Sequence, residues 1–486
     1  MGNDGFEHGE VVEFGRLFRR FLDEIVHGEL EAAGRPSLVG RLREHLGQDP
    51  LEIPVVTATY PAYDHANVHV GLEAWFATGG RSRELVGVSG GHRSSNTLSE
   101  LLEMAERHGA YGVGPVDYVH LPVSVDEELA CVGFGFFLGV DGDERTAVLL
   151  RSGEMHGPPQ VRVEVMAPSR DSAKRLLAGV ERLMRERNVF RGKVVSVSPG
   201  RAFEEGSGPI SFHRRPSMSR DAIVLPDGLL ERVERQVLGV ARHGDRLRAA
   251  GQQLRRGVLL YGPPGTGKTH TLRYLLSRLP DFTVVLLTGT SLGFIGSACA
   301  LARMLQPALV ILEDCDLVAE ARDFAPGMEN PLLFEMLNEM DGIEDDVDVA
   351  FLLTTNRADL LEPALAQRPG RVDLAVEIPL PDAAGRARLI QLYGPELKLP
   401  PEALAELVTR TDGTTASFAK ELVRRATLLS AERGADEAAP EDLRAAADEL
   451  LSDRDALTRR LLGAAEAGAD DLQDDLQDDL QDDLRF

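Results

Sequence analysis

Cysteine is scarce here: Cys131, Cys299 and Cys315 are the three among 486 residues, with no C-x-x-C spacing. That excludes a zinc ribbon and a disulfide framework and points to a reducing, cytoplasmic setting. Long apolar runs are missing too, and none approaches the roughly 18 residues of a membrane helix. The opening MGNDGFEHGEVVEFG is acidic and has no signal-peptide core, and Phe6 stands where a myristoylation signal needs Ser or Thr. No membrane association is therefore expected. Positive charge is in deficit, with 53 Lys and Arg against 78 Asp and Glu, a net −25. Residues 470–486 hold eight Asp and one Arg, a net −7, which leaves −18 on the rest. Such a surface repels nucleic acid on average, so nucleic acid is not an expected partner.

What is present fits a soluble globular protein, 43% hydrophobic and 27% charged, and too long for one core. The first ~200 residues read as a mixed α/β region. Val11, Phe14, Phe18, Phe21, Leu22 and Ile25 have helical spacing. Strand-like runs follow at 66–77 (ANVHVGLEAWFA), 145–153 and 159–168, then a helical stretch at 172–188 and a strand-like KVVSVS. Its scattered histidines, such as His69 and His120, read as structural rather than as ligands. Residues 199–220 are rich in Pro, Gly, Ser and Arg and read as a linker. Strands followed by helices then signal a parallel sheet, and after ~395 the chain turns helical. The repeat DDLQDDLQDDLQDDL would align Leu472, Leu476, Leu480 and Leu484 on one stripe, yet its Asp pairs repel and form helix poorly. An acidic disordered segment is expected there. The division is then 1–200, linker 201–220, sheet subdomain 221–393, helical subdomain 394–465 and acidic segment 466–486.

The stretch LLYGPPGTGKTHT (259–271) contains G-x-x-x-x-G-K-[ST] in full as Gly262, Gly267, Lys268 and Thr269, directly after an apolar run. Glycines let successive backbone N–H groups face one anion. Lys268 then reaches β- and γ-phosphates, and the Thr269 hydroxyl ligates Mg²⁺. Downstream, ALVILEDCD (308–316) is an apolar strand ending in Glu313 and Asp314. Carboxylates at that end of a parallel strand lie beside the phosphate loop, where the metal needs oxygen and the attacking water a base. Next, VAFLLTTNRADLLEPALAQRPGRVDLAVEIPLPD (349–382) gives a strand ending at Asn356, then Arg368 and Arg371. NRAD also resembles the guanine-reading N-K-x-D of GTPases, but no Lys follows Asn356 and no D-x-x-G is in place, so ATP is the expected nucleotide.

Together GPPGTGKT, ILEDCD, TTN and RPGR…EIPLPD resemble the AAA family of ATPases, the branch containing NSF, FtsH and the proteasomal ATPases, over roughly 221 to 450. The resemblance implies a P-loop parallel sheet with a helical lid, preceded here by a mixed α/β domain, with ATP and Mg²⁺ as cofactors. It implies that Gly262, Pro263, Pro264, Gly265, Thr266, Gly267, Lys268, Thr269 and His270 bind nucleotide. Asn356 matches the residue that orients the attacking water. Arg368 and Arg371 match the pair that reaches a neighbour's γ-phosphate, so a homo-oligomer, usually a hexameric ring, is implied. Phe294, Ile295 and Gly296 in LGFIGS match the pore loop that grips substrate. Thr415, Ala416 and Ser417 match the second sensor region, with Ala416 near adenine or ribose.

Three departures stand out. The acids run Glu-Asp where most relatives have Asp-Glu, so Glu313 takes the metal place, beside Thr269, and Asp314 the base place. DAIVLP (221–226) replaces the usual Ile-Gly-Gly, with Ile223 and Val224 as adenine contacts. No H-E-x-x-H and no hydrophobic-Tyr-X ending occur, so neither a built-in protease nor proteasome docking is implied. The expected function is an ATP-driven machine that remodels a protein substrate, recruited directly or by an adaptor through the N-terminal domain. The alternatives are a nucleotide-gated assembly scaffold and a nucleic-acid-dependent ATPase.

Overall fold

The computed structural model describes residues 17, 37–91, 93, 96–153, 160–197, 210–315, 338–339, 342, 347–357, 372–397 and 399–452. The expected helix at 11–30 (Leu17 apart), residues 201–209 of the expected linker, Arg368, Arg371 and the acidic repeat lie outside them. The chain divides into two units, between His213 and Arg214.

In the first unit the chain order is α1 (Leu38–Leu46), β1 (Val55–Pro61), α2 (His65–Phe76), β2 (Ser82–Ser89), α3 (Leu98–His108), β3 (Gly112–Gly114), β4 (Asp117–Pro122), β5 (Glu128–Asp141), β6 (Glu144–Gly153), β7 (Gln160–Met166) and α4 (Arg170–Glu186). The strands form one antiparallel sheet in the order β1-β7-β6-β5-β2-β3, and β4 also pairs with β5. The tight turn at Gly142 sets the β5–β6 register, in which Asp141 faces Glu144. Both faces of the sheet are covered, so its central strands are apolar almost throughout rather than alternating. Phe136 points into a core with Leu42 of α1 and Leu101 of α3, while its neighbour Phe137 points into the opposite core with Leu72 of α2 and Val180 of α4. A hairpin of β8 (Val194–Val197) and β9 (Ile210–His213) follows; β9 falls inside the stretch read as linker.

The run at 66–77 is a helix and not the strand its Val-His-Val alternation predicts. Val68, Leu72 and Phe76 recur every four residues toward the sheet, and the other side is also covered, so the helix is apolar nearly all round. Gly71 lies so close to Val180 and Met184, and Gly179 to Trp75, that a Cβ at either position would collide with the other helix. His69 is buried, and its Nδ1 accepts from the Val132 N–H at 3.4 Å.

The second unit begins with short helices α5 (Leu229–Glu234) and α6 (Val240–Ala249), joined by a wide turn over Arg235–Gly239. Then come β10 (Arg256–Tyr261), α7 (Lys268–Ser277), β11 (Thr283–Thr288), α8 (Ile295–Met304), β12 (Ala308–Glu313), β13 (Val349–Thr355) and β14 (Leu374–Glu377). These strands run parallel in the order β14-β10-β13-β12-β11, a P-loop α/β sheet. In register Tyr261 lies beside Thr355 and Leu312 beside Leu353, so the carboxyl ends of β10, β12 and β13 come together. Helices α9 (Ala383–Tyr393), α10 (Pro401–Arg410), α11 (Ala416–Glu432) and α12 (Pro440–Leu451) form a bundle around Leu407, Phe418, Leu422 and Leu443. Leu389 and Ile390 of α9 belong to that core, so the helical subdomain starts before the boundary drawn at 393. Among the described residues no helix is long and apolar enough to cross a membrane.

Candidate active site

The loop between β10 and α7 turns on glycines in the left-handed region, where other residues are strained. Gly262 (φ +140°) also passes so close to Ile378 that a Cβ would sit 2.3 Å from its carbonyl oxygen. Gly265 (φ +77°) is held from the lid side: its carbonyl accepts from the Ser417 N–H at 3.1 Å, and a Cβ would lie 3.0–3.1 Å from Ser417 and Thr415. The Thr266 hydroxyl donates to the Pro263 carbonyl at 2.9 Å and sets the loop's curvature. The buried Lys268 ammonium donates to the carbonyls of Gly262 (2.7 Å) and Pro263 (2.8 Å), which keeps its charge inside the loop at the N-terminus of α7. That combination of helix N-terminus, glycine loop and buried cation suits a polyphosphate.

The loop opens on a cavity of ≈ 350 Å³. Its lining includes apolar Ile223, Val224, Leu389 and Tyr393 together with Thr269, Asp314 and Asn356. His270 and Lys420 also line it. Burial lowers the His270 pKa, and Arg273 and Lys420 push it the same way.

The two acids have different surroundings. Glu313 ends β12 half-buried; burial, and then the Asp314 charge, raise its pKa, while the Thr269 hydroxyl donates to its carboxylate. A hydroxyl and a carboxylate side by side are hard oxygen donors of the kind Mg²⁺ takes. Asp314 is exposed and has φ +52°, the one non-glycine residue with positive φ among those described. The Thr354 hydroxyl accepts from its N–H at 3.0 Å, and the Thr354 carbonyl accepts from Cys315 N–H at 2.9 Å. This grip holds a strained residue, which turns its side chain to the cavity beside Asn356.

The structure thus brings together the loop, Thr269, His270, Glu313, Asp314, Asn356 and Ala416. Gly289–Phe294 forms a tight 3₁₀ turn leading into α8; there Phe294 is half-buried and Gly296 partly exposed. Ile295 is fully buried and anchors the turn, which corrects the expectation that it meets substrate. Sequence reading passed over Lys420 and Thr354. Lys420 lies four residues after Ala416 on α11, one turn along the same face, and that spacing was the available signal.

Residues 258–380 match the model of the ATPase family associated with various cellular activities (AAA). The chain is 33% identical over 238 residues to an ATP-dependent zinc metalloprotease FtsH 3 of Sphaerobacter thermophilus, covering 46% of this chain and 48% of that protein. It is 30% identical over 336 residues to the ATP-dependent zinc metalloprotease FtsH of Akkermansia muciniphila, covering 61% and 40%. The FtsH of Thermus thermophilus is 32% identical over 257 residues, covering 48% and 40%. The chain therefore spans about half or less of the length of these curated relatives. It contains no H-E-x-x-H, and its described residues hold no cluster of three His, Cys, Asp or Glu fit for a metal.

Proposed function

This chain carries an AAA-family ATPase domain whose cofactors are ATP and Mg²⁺, and on that premise we propose that it hydrolyses ATP as a ring oligomer to remodel a protein partner. The observation that carries the chemistry is the convergence of the phosphate loop, Thr269–Glu313, Asp314 and Asn356 on one cavity. The loop and Lys268 hold the β- and γ-phosphates. Thr269 and Glu313 would hold Mg²⁺, which when bound would neutralise charge on the phosphoryl oxygens. Asn356 orients a water, and Asp314 takes its proton as the water's oxygen bonds to the γ-phosphorus and the bond to ADP breaks. Arg368 and Arg371, from a neighbouring subunit, stabilise the charge that develops.

The direct contact between Ser417 of α11 and Gly265 supports the mechanical half of this reading, since it ties the lid's position to the loop that holds the phosphates. Phe294 is the residue proposed to touch substrate, with an N-terminal domain that recruits it, in a protein that acts in the cytoplasm. The test is ATP turnover with and without an unfolded polypeptide such as reduced casein. Stimulation that Phe294→Ala removes is expected. Turnover indifferent to the polypeptide, in both wild type and variant, would favour a nucleotide-gated scaffold.

A further inference from the structure

The segment running up to β10 is rich in arginine on a protein whose net charge is −25. Arg232 on α5, Arg235 in the wide turn, and Arg242 and Arg246 on α6 are all exposed, and among the described residues none of the four is paired with a carboxylate. They lie on a segment whose buried residues include Val233, Val237 and Leu238 and whose helical course is interrupted by the wide turn at Arg235–Gly239 and a kink at His243. The segment's own acids are already engaged. Glu231 and Glu234 hold Arg220 at 2.5 and 3.2 Å, and Asp245 holds Arg248 at 3.0 Å. Four arginines on one short segment without a carboxylate partner repel one another, so a polyanion laid across them removes that repulsion as well as adding its own attraction.

We propose that this arginine face is the docking surface for the acidic repeat of the same chain, residues 470–486. The charges match in sign: the repeat holds four Asp pairs, eight Asp in all, with one Arg. Seventeen residues separate Ser452, where the described lid ends, from Asp470. At about 3.3 Å per residue they span up to about 56 Å, enough to cross a domain of this size. Tethering keeps the repeat at high local concentration, an advantage that a free nucleic acid lacks. Docking also bears on the active site, because Glu234 of α5 accepts from the Tyr274 hydroxyl on α7, the helix that follows the phosphate loop.

The test uses the chain lacking residues 470–486 and a fluorescein-labelled peptide of the sequence DDLQDDLQDDLQDDLRF, followed by anisotropy. Saturable binding is expected, weakening at least ~10-fold from low to high salt as the charges are screened. A peptide with Asn for every Asp should not bind. The intact chain should bind the labelled peptide more weakly than the shortened one, because its own repeat competes. Arg235→Glu with Arg242→Glu should weaken binding at least ~10-fold at unchanged melting temperature, both side chains being exposed. Arg232→Gln with Arg246→Gln is the second pair, should the first not fold. No saturable binding, binding that survives both pairs, or a short DNA duplex that binds the face more tightly than the peptide would overturn the proposal.

Discussion

At the level of single residues, the reversed acids are the most informative feature of the site. Glu313 accepts from Thr269 and Asp314 faces the cavity beside Asn356, so the two carboxylates are separated by environment as well as by position. Asp314→Asn should bind ATP and hydrolyse it at least ~100-fold more slowly, as on removal of a general base, measured by steady-state phosphate release and by calorimetric titration. Glu313→Gln should chiefly raise the Mg²⁺ concentration needed for half-maximal rate. The opposite pattern would exchange the two roles. Gly265 is constrained by backbone angle and by contact, with its absent Cβ 3.0–3.1 Å from lid atoms. Gly265→Ala should lower stability by about 1–2 kcal/mol from the left-handed backbone alone and weaken ATP binding as the lid contact is displaced; thermal melting and calorimetry check it. Wild-type values for both would show that the Gly265–Ser417 contact is not needed.

Among elements, an amphipathic helix and short apolar strand runs were legible, and a helix enclosed on nearly all sides was not. α4 buries Leu176, Val180 and Leu183 on one stripe and its outer face is charged, so its 3.6-residue period stands out in the sequence. β6 and β7 likewise match their predicted runs. α2 is enclosed on nearly all sides, and its sequence carries little amphipathic signal to separate helix from strand. The phosphate loop and the acidic strand end were readable because their residue types are dictated by phosphate and metal chemistry. Thr354 was not, since its grip on Asp314 is brought about by the fold alone.

The first unit also contains a buried ion pair across two strands, Arg151 on β6 and Glu164 on β7 at 2.8 Å, both almost fully enclosed. Glu164 accepts from the Leu98 N–H at the start of α3 as well (3.2 Å), so the pair fixes that helix on the sheet. Glu164→Leu leaves Arg151 buried without its carboxylate and should destabilise this unit by about 3–5 kcal/mol. The double change Arg151→Met with Glu164→Leu should recover most of that. Trp75 is the single tryptophan and lies in this unit, so its fluorescence during denaturant unfolding reports the unit by itself. A single variant as stable as wild type would show that the pair does not hold α3.

For the whole molecule, the decisive point of the proposed reading is that the cavity supplies a base, a metal place and a phosphate clamp and is completed by arginines of a neighbouring copy. Activity per chain should therefore rise with protein concentration as rings form. The most direct measurement mixes two inactive variants, Lys268→Ala and Arg371→Ala, each first shown by melting to be folded. Alone, each should hydrolyse almost no ATP. Mixed, they should recover part of the rate, because an Arg371→Ala chain keeps a sound phosphate loop and can receive the arginine of a Lys268→Ala neighbour. No recovery on mixing, with activity per chain independent of concentration and only monomers in sedimentation with ATP and Mg²⁺, would contradict a shared site.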